Sequence, residues 1–306
     1  MNNVFRIGTR DSELAVWQAN MVKEQLALYG YESKLVFIKS EGDLDLVSPL
    51  YAMGVQGVFT RTLDIALLNN KIDIAVHSMK DVPIQLPEGI AQAAVLKRAT
   101  YKDVLVPNGE TRFLQNPSST ALIATSSIRR IAQWLHRYPY HQLTNLRGNI
   151  NSRLKKVKES NWNGAIFAAA GLERIHVLPT NAIELDWMLP APAQGAIMVV
   201  GRSNDDPVLE ACSYLNDAPT AMCTAIERNF LKALLGGCST PISALAFIEK
   251  NNIHFKGNIT SPDGKQSVDV ETVVPVDKSN GLGEKEAMNI LEKGGRAIAE
   301  KLRHEQ

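Results

Sequence analysis

Strand-like and helix-like segments alternate along the first two thirds of this 306-residue chain, and then the alternation stops. "VFRIGTR" reads as a strand, after which Asp11 and Ser12, both good N-cap types, open a helix from about Ser12 to Tyr29 that Gly30 ends. Leu14, Trp17, Met21 and Leu28 share one apolar face of that helix. "KLVFIK" is the next strand, "SEGDLDLVSPLYAMGVQGVF" a long loop without a clear period, "TRTLDIALLNN" a helix and "IDIAVHS" a short buried strand. The pattern repeats between about 100 and 190: "DVLVP" and "ALIAT" are strands, "SIRRIAQWLHRY" a helix, "HQLTNL" a strand, "INSRLKKVKES" a helix and "GAIFAAAG" a strand. Such alternation predicts parallel α/β sheets. "MLPAPAQGA", with two prolines, is the expected crossing between domains. From about 217 a helix carries Met222, Ile226, Phe230 and Leu234 at fourfold spacing and stops at Gly236. Three strand-like runs and a helix from about Glu284 to Arg303 follow, which predicts a small α+β domain.

Composition narrows the function classes. A hydrophobic share of 45% and a charged share of 21% describe a globular chain with ample core. No stretch reaches the ~20 apolar residues of a membrane span, and "MNNVFRIGTR" has no apolar signal region, so the expected location is the cytoplasm. Three cysteines without a C-x-x-C pair and six scattered histidines argue against a disulfide framework and against a metal site. The net charge of +1 hides a basic block. Between Lys97 and Lys158 twelve Lys and Arg face only Asp103 and Glu110, which points to an anionic partner.

Four strand ends present arginine. In "ATSSIRR" a buried strand runs into Thr125, Ser126 and Ser127 and then into a helix carrying Arg129 and Arg130. Free N–H groups, hydroxyls and guanidiniums at a helix start suit a phosphate or a carboxylate. "NLRGNINSR" repeats the theme with Arg147, Gly148 and Arg153, "TRDS" with Arg10 and Ser12, and "AGLERI" with Arg174. Ligands of open α/β sheets bind at the carboxyl ends of strands, so the four together predict a polyanion pocket. No phosphate-binding glycine loop favours nucleotides. Arginine suits bidentate pairing with carboxylates as well as phosphates.

Two further stretches carry chemistry. Asp81 follows a buried strand in "VHSMKDVP", with Lys80 beside it, and can act as a base, a cation stabiliser, a helix cap or an ion-pair partner. His77 reads as a packing residue. Cys238 in "LLGGCSTPI" follows a helix C-terminus, where the dipole opposes a thiolate, and no histidine lies within fifteen residues of it. Its local sequence therefore gives little support to a protease-like nucleophile.

Taken together, "RIGTRDSELAVWQA", "IDIAVHSMKDVP", "TSSIRR", "LRGNINSRL", "AAAGLERI", "QGAI" and "LLGGCSTPI" resemble the porphobilinogen deaminase (hydroxymethylbilane synthase) family, in order and with family-like spacing from residue 6 to 242. The resemblance implies an α/β chain of three domains. The first two are periplasmic-binding-protein-like with a ligand cleft between them, and the third is a small α+β domain. Their expected bounds are 1–98 plus 195–216, 99–194 and 217–306. It implies a transferase that deaminates porphobilinogen and joins four molecules head to tail on a covalent dipyrromethane cofactor, then releases the linear tetrapyrrole by hydrolysis. Carried over residue by residue, Cys238 attaches the cofactor and Asp81 is catalytic. Lys80, Asp81, Thr125, Ser126, Ser127, Arg129, Arg130 and Gly148 hold the cofactor. Arg10, Ser12, Phe59, Arg147, Arg153, Arg174 and Gln194 receive substrate and the growing chain. The expected partner is the polycarboxylate pyrrole, with no nucleic acid, membrane or metal, and the expected state is a monomer. The chain departs from the family pattern at Glu41, Gln56, Thr100–Lys102, Asn151 and Ala193. Two other readings compete: a non-catalytic anion-binding protein, which leaves Asp81 and Cys238 unexplained, and a nucleic-acid binder, which predicts affinity falling steeply with salt.

Overall fold

The computed structural model describes residues 4–39, 60–234 and 240–304. In chain order the elements are β1 (Phe5–Thr9), α1 (Glu13–Leu28), β2 (Ser33–Phe37), α2 (Arg61–Leu68), β3 (Ile74–Ser78), β4 (Ile90–Val95), β5 (Asp103–Pro107), β6 (Leu122–Ala124), α3 (Ile128–Arg137), β7 (Gln142–Thr144), α4 (Ile150–Glu159), β8 (Gly164–Ala168), α5 (Ala169–Arg174) and β9 (Ile183–Glu184). They continue as β10 (Ile197–Arg202), α6 (Asp206–Ser213), α7 (Ala218–Leu234), β11 (Ile242–Glu249), β12 (Asn252–Thr260), β13 (Ser267–Pro275), α8 (Leu282–Ile290) and α9 (Arg296–His304). The described residues up to Ala99 pack with Gly195–Met222 as one unit. Thr100–Gln194 pack with the described residues from Cys223 onward as a second.

Each unit holds a five-stranded sheet, in the order β2-β1-β3-β10-β4 in the first and β7-β6-β8-β5-β9 in the second. The expectation of purely parallel sheets is corrected in both. β1, β2 and β3 run parallel, but β10 lies antiparallel between β3 and β4. Likewise β6, β7 and β8 run parallel, and β5 lies antiparallel between β8 and β9. Parallel strands buried on both faces read as continuous apolar runs, which is why β3 was visible as "IAVHS". β4 and β10 carry the same chemistry, yet nothing in sequence says which neighbours they choose.

The core of the first unit joins Phe5, Ile7, Ile74, Val76 and Val199 of the sheet to Ala19, Val22 and Leu26 of α1. This corrects the face read for that helix. The buried stripe is Ala15, Ala19, Val22 and Leu26, while Trp17 and Met21 pack at its margin and Leu28 is exposed. In the second unit, alternate residues of β5 feed two cores, Val104 and Val106 on one face and Leu105 on the other.

The C-terminal part is a three-stranded antiparallel sheet, β11-β12-β13, under α7, α8 and α9. A Cβ on Gly257 would stand 2.7 Å from the Phe230 ring, so only glycine fits there. The single helix expected from Glu284 to Arg303 is broken, because Gly294 at φ 107° kinks the chain between α8 and α9. "GAIFAAAG" also divides, with the strand ending at Ala168 and α5 beginning at Ala169. Ala193 adopts a left-handed φ of 62°, fully buried, and its N–H donates to Glu227 Oε2 at 2.6 Å. Glu227 Oε1 also accepts from Ala246 N at 2.7 Å, tying the 190–194 turn, α7 and β11 together.

Candidate active site

In the first unit the carboxyl ends of β1 and β3 meet the start of α1. Arg10 leaves β1, Ser12 takes the N-cap position of α1, and β3 runs into a single 3-10 turn, Met79–Asp81. Together they enclose a pocket of about 70 Å³. Arg10, Gln18, Thr60, His77, Ser78 and Asp81 supply its polar groups, and Leu14, Ala15, Leu63 and Val76 its apolar wall. A guanidinium and an exposed carboxylate thus face one small space from two strand ends. Ser12 has extended N-cap backbone but its hydroxyl makes no cap bond. Lys80 sits half-buried in the same turn as Asp81.

The polar lining includes four residues that sequence reasoning did not select as site residues, Gln18, Thr60, His77 and Ser78. Gln18 is 3% exposed on α1, and its Nε2 donates to Ser78 Oγ at 2.9 Å. The only sequence signal was a polar residue one position beyond an apolar one on the helix. His77 is buried, and its Nε2 has no hydrogen-bond partner among the described residues. Burial, and after it the Arg10 charge, lowers its imidazole to about 4, so the ring is neutral near pH 7.

The second unit arranges its charges differently. Thr125, Ser126 and Ser127 follow β6, but their hydroxyls serve the backbone. Thr125 Oγ1 accepts from Ser127 N at 3.3 Å, and Ser127 Oγ accepts from Arg130 N at 3.5 Å as the cap of α3. Ser126 Oγ bonds to the Leu146 backbone at 2.8 Å, to both its O and its N, and meets Asn145, stitching β6 to the chain after β7. Arg129 and Arg130 are both buried and converge on Asp103, which is fully buried at the start of β5. Arg129 Nη2 lies 2.7 Å from Asp103 Oδ2, and Arg130 Nη2 lies 2.7 Å from Oδ1. Arg130 Nε donates to the same Oδ1 at 3.2 Å, as does Gln194 Nε2 at 2.9 Å. Leu189 O and Ile166 O take one further N–H from each arginine. Burial first, then the neighbouring Arg130, lowers Arg129 against the pull of Asp103.

The remaining strand-end arginines also lie in this unit. Arg147 is buried at the chain after β7, and Gly148 turns at φ 110°. Asn149 caps α4 by accepting from Ser152 N at 2.9 Å. Arg153 Nε donates to Gly148 O at 2.7 Å. Arg174 ends α5, where burial lowers its guanidinium to about 10, against Glu173. Phe59 and Cys238, with Glu41 and Gln56, lie outside the described residues. Asp103 is a further residue that sequence reasoning missed. It stood out only as one of two acids in a basic block.

No helix among the described residues is long and apolar enough to cross a membrane. The donor set suits a carboxylate-bearing organic group: two guanidiniums share one internal carboxylate, and Arg129 Nε is a buried donor without a partner among the described residues.

Comparison with known proteins gives the same direction. The family model "Porphobilinogen deaminase, dipyromethane cofactor binding domain" matches residues 5–210, and the family's C-terminal domain matches residues 221–292. Among curated relatives, the porphobilinogen deaminase of Pelobacter propionicus is 39% identical over 97% of both chains. That of Trichlorobacter lovleyi is 40% identical over 97% of this chain and 96% of its own. The chloroplastic porphobilinogen deaminase of Oryza sativa is 39% identical over 90% of this chain and 79% of its own.

Proposed function

The chain belongs to the porphobilinogen deaminase family, and on that premise we propose how its residues divide the family's reaction. That reaction is the hydroxymethylbilane synthase step of tetrapyrrole biosynthesis, in which porphobilinogen is deaminated and built into a linear tetrapyrrole on a dipyrromethane cofactor. When bound, the cofactor supplies the pyrrole to which incoming units are joined, four in all, before hydrolysis releases the product.

The observation that carries our reading is the pocket in which Arg10 and Asp81 meet. Porphobilinogen has carboxylates at its edge and an aminomethyl group that leaves as ammonia. Arg10 and the uncapped Ser12 hydroxyl receive a carboxylate. Asp81 accepts the pyrrole N–H and stabilises the electron-poor ring that forms as ammonia departs. The Leu14, Leu63 and Val76 wall keeps water from that carbon. In the second unit Arg129 and Arg130, with Thr125, Ser126, Ser127 and Gly148 shaping the turn around them, take cofactor carboxylates, and by motif match Lys80 of the first unit is also a cofactor-binding residue. Desolvating a carboxylate costs several kcal/mol, which such cations offset. Arg147, Arg153, Arg174, Gln194 and Phe59 receive the growing chain. Cys238, on the family's "GGC-x-x-P" pattern, is the attachment point through a thioether. The division into domains 1–98 plus 195–216, 99–194 and 217–306, and a monomeric cytoplasmic enzyme without nucleic-acid partner, complete the proposal.

Intact-protein mass tests it. Protein made with porphobilinogen available should weigh two linked pyrrole units more than its polypeptide after denaturation, and Cys238→Ala should weigh the bare chain and be inactive. A bare-chain mass in the parent protein, or full activity in Cys238→Ala, refutes the attachment.

A further inference from the structure

Asp103 is wholly buried, yet it is surrounded by more positive charge than it can neutralise. Its Oδ1 accepts from Arg130 Nε, Arg130 Nη2 and Gln194 Nε2, and its Oδ2 accepts from Arg129 Nη2. The two guanidiniums have little freedom left, since Arg129 Nη1 also bonds Leu189 O and Arg130 Nη1 bonds Ile166 O. Arginine has a long, entropically costly side chain, so two of them aimed by one carboxylate form a preorganised cationic block. That block keeps a surplus of one positive charge over its internal acid, and among the described residues Arg129 Nε remains an unspent donor. A wholly structural triad would be expected to spend every buried donor and to balance its charge.

We propose that Asp103 is a positioning residue of the reaction: it locks Arg129 and Arg130 into one rigid unit whose surplus charge is met by a carboxylate of the bound pyrrole chain. The inference rests on the reading that these arginines hold carboxylates. Asp103 does not touch the pyrroles. It sets where the guanidiniums stand and leaves one charge for the ligand.

The test compares parent protein, Asp103→Asn and the packing control Val106→Ala, a buried residue of the same strand that belongs to an apolar core. Melting temperature, cofactor loading by intact mass, and KM and kcat for porphobilinogen per loaded molecule are read for each. Val106→Ala should lower the melting temperature and keep KM within twofold. Asp103→Asn should raise KM at least tenfold and reduce the loaded fraction. An Asp103→Asn protein that is less stable but has parental KM and loading overturns the proposal. If asparagine prevents folding, Asp103→Glu carries the test, because it keeps the charge and moves it by one methylene. A KM raised threefold or more then supports the proposal, and a parental KM overturns it. Parent protein that itself never gains the two-pyrrole mass overturns the underlying reading, and this inference with it.

Discussion

The two five-stranded sheets share one strand order but differ in where an acid stands relative to the third strand. In each, three parallel strands are followed by an antiparallel strand whose first residue pairs with the last residue of the third. In the first unit that pair is Ile197 with Ser78, and in the second it is Asp103 with Ala168. The equivalent position is thus a core isoleucine in one unit and a buried acid under two arginines in the other. The first unit instead places its acid three residues beyond the third strand, where Asp81 is exposed at the pocket beside Arg10. One topology therefore yields a site with an accessible carboxylate and a site whose carboxylate is spent on aiming cations. Accessibility separates an acid that can meet substrate from an acid that can only organise its neighbours.

The sharpest way to break that comparison is Asp81→Asn. If Asp81 stabilises developing charge, turnover should fall on the order of 100-fold or more, with the covalent mass retained and the melting temperature nearly unchanged. Near-parental turnover per loaded molecule would remove Asp81 from the chemistry. Next in size is Ile197→Asp, which transplants the acid of the second unit into the first. Ile197 is 2% exposed among Ile74, Val76 and Val199, with no arginine pair in that cluster. Chemical denaturation should show a loss of roughly 3–5 kcal/mol. A neutral result would mean that the position tolerates charge without the cations.

The smallest effect sharpens the same contrast within the first unit. Asp64 on α2 is buried, and burial pushes its carboxyl up to about 6, partly opposed by its hydrogen bond with Thr60. Its folded pKa lies above the unfolded value near 3.8, so the folded state holds the proton more tightly. Stability from this group is therefore full below about pH 4 and is lost as pH rises through about 6. Asp64→Asn should stabilise the protein by roughly 2 kcal/mol at pH 7.5 and by almost nothing at pH 4. Equal effects at the two pH values would contradict the assignment. Asp73 shows the converse. Burial would raise it, but hydrogen bonds from Arg6 and Arg202 prevail and bring it down to about 2.

Much of the candidate site was legible because its residues follow strand ends, and strand ends are visible wherever a buried apolar run stops. Arg10, Asp81, Ser127, Arg129, Arg147 and Arg174 could each be found in that way. Gln18, His77 and Asp103 could not. Gln18 lies mid-helix and matters only because Ser78 of β3 comes within 2.9 Å. Asp103 opens a strand, where an acid ordinarily marks a turn, and its meaning depends on arginines 26 and 27 residues away. The α1 face differs for a related reason: Leu28 is apolar in sequence and exposed in the fold, while the face that is buried carries Ala15 and Ala19.

By itself the amino-acid sequence determined many of the segments that become strands and helices, that the middle of the chain is basic, and which family the motifs resemble. These depend on local periodicity and on residue types at short spacing. Only the tertiary structure decided that β5 and β10 run antiparallel inside otherwise parallel sheets, that Arg129 and Arg130 share Asp103, and that Asp81 and Arg10 line one pocket. Strand neighbours and buried ion pairs join residues far apart in the chain, and their energies depend on distance and on exclusion of water, quantities a linear sequence does not carry.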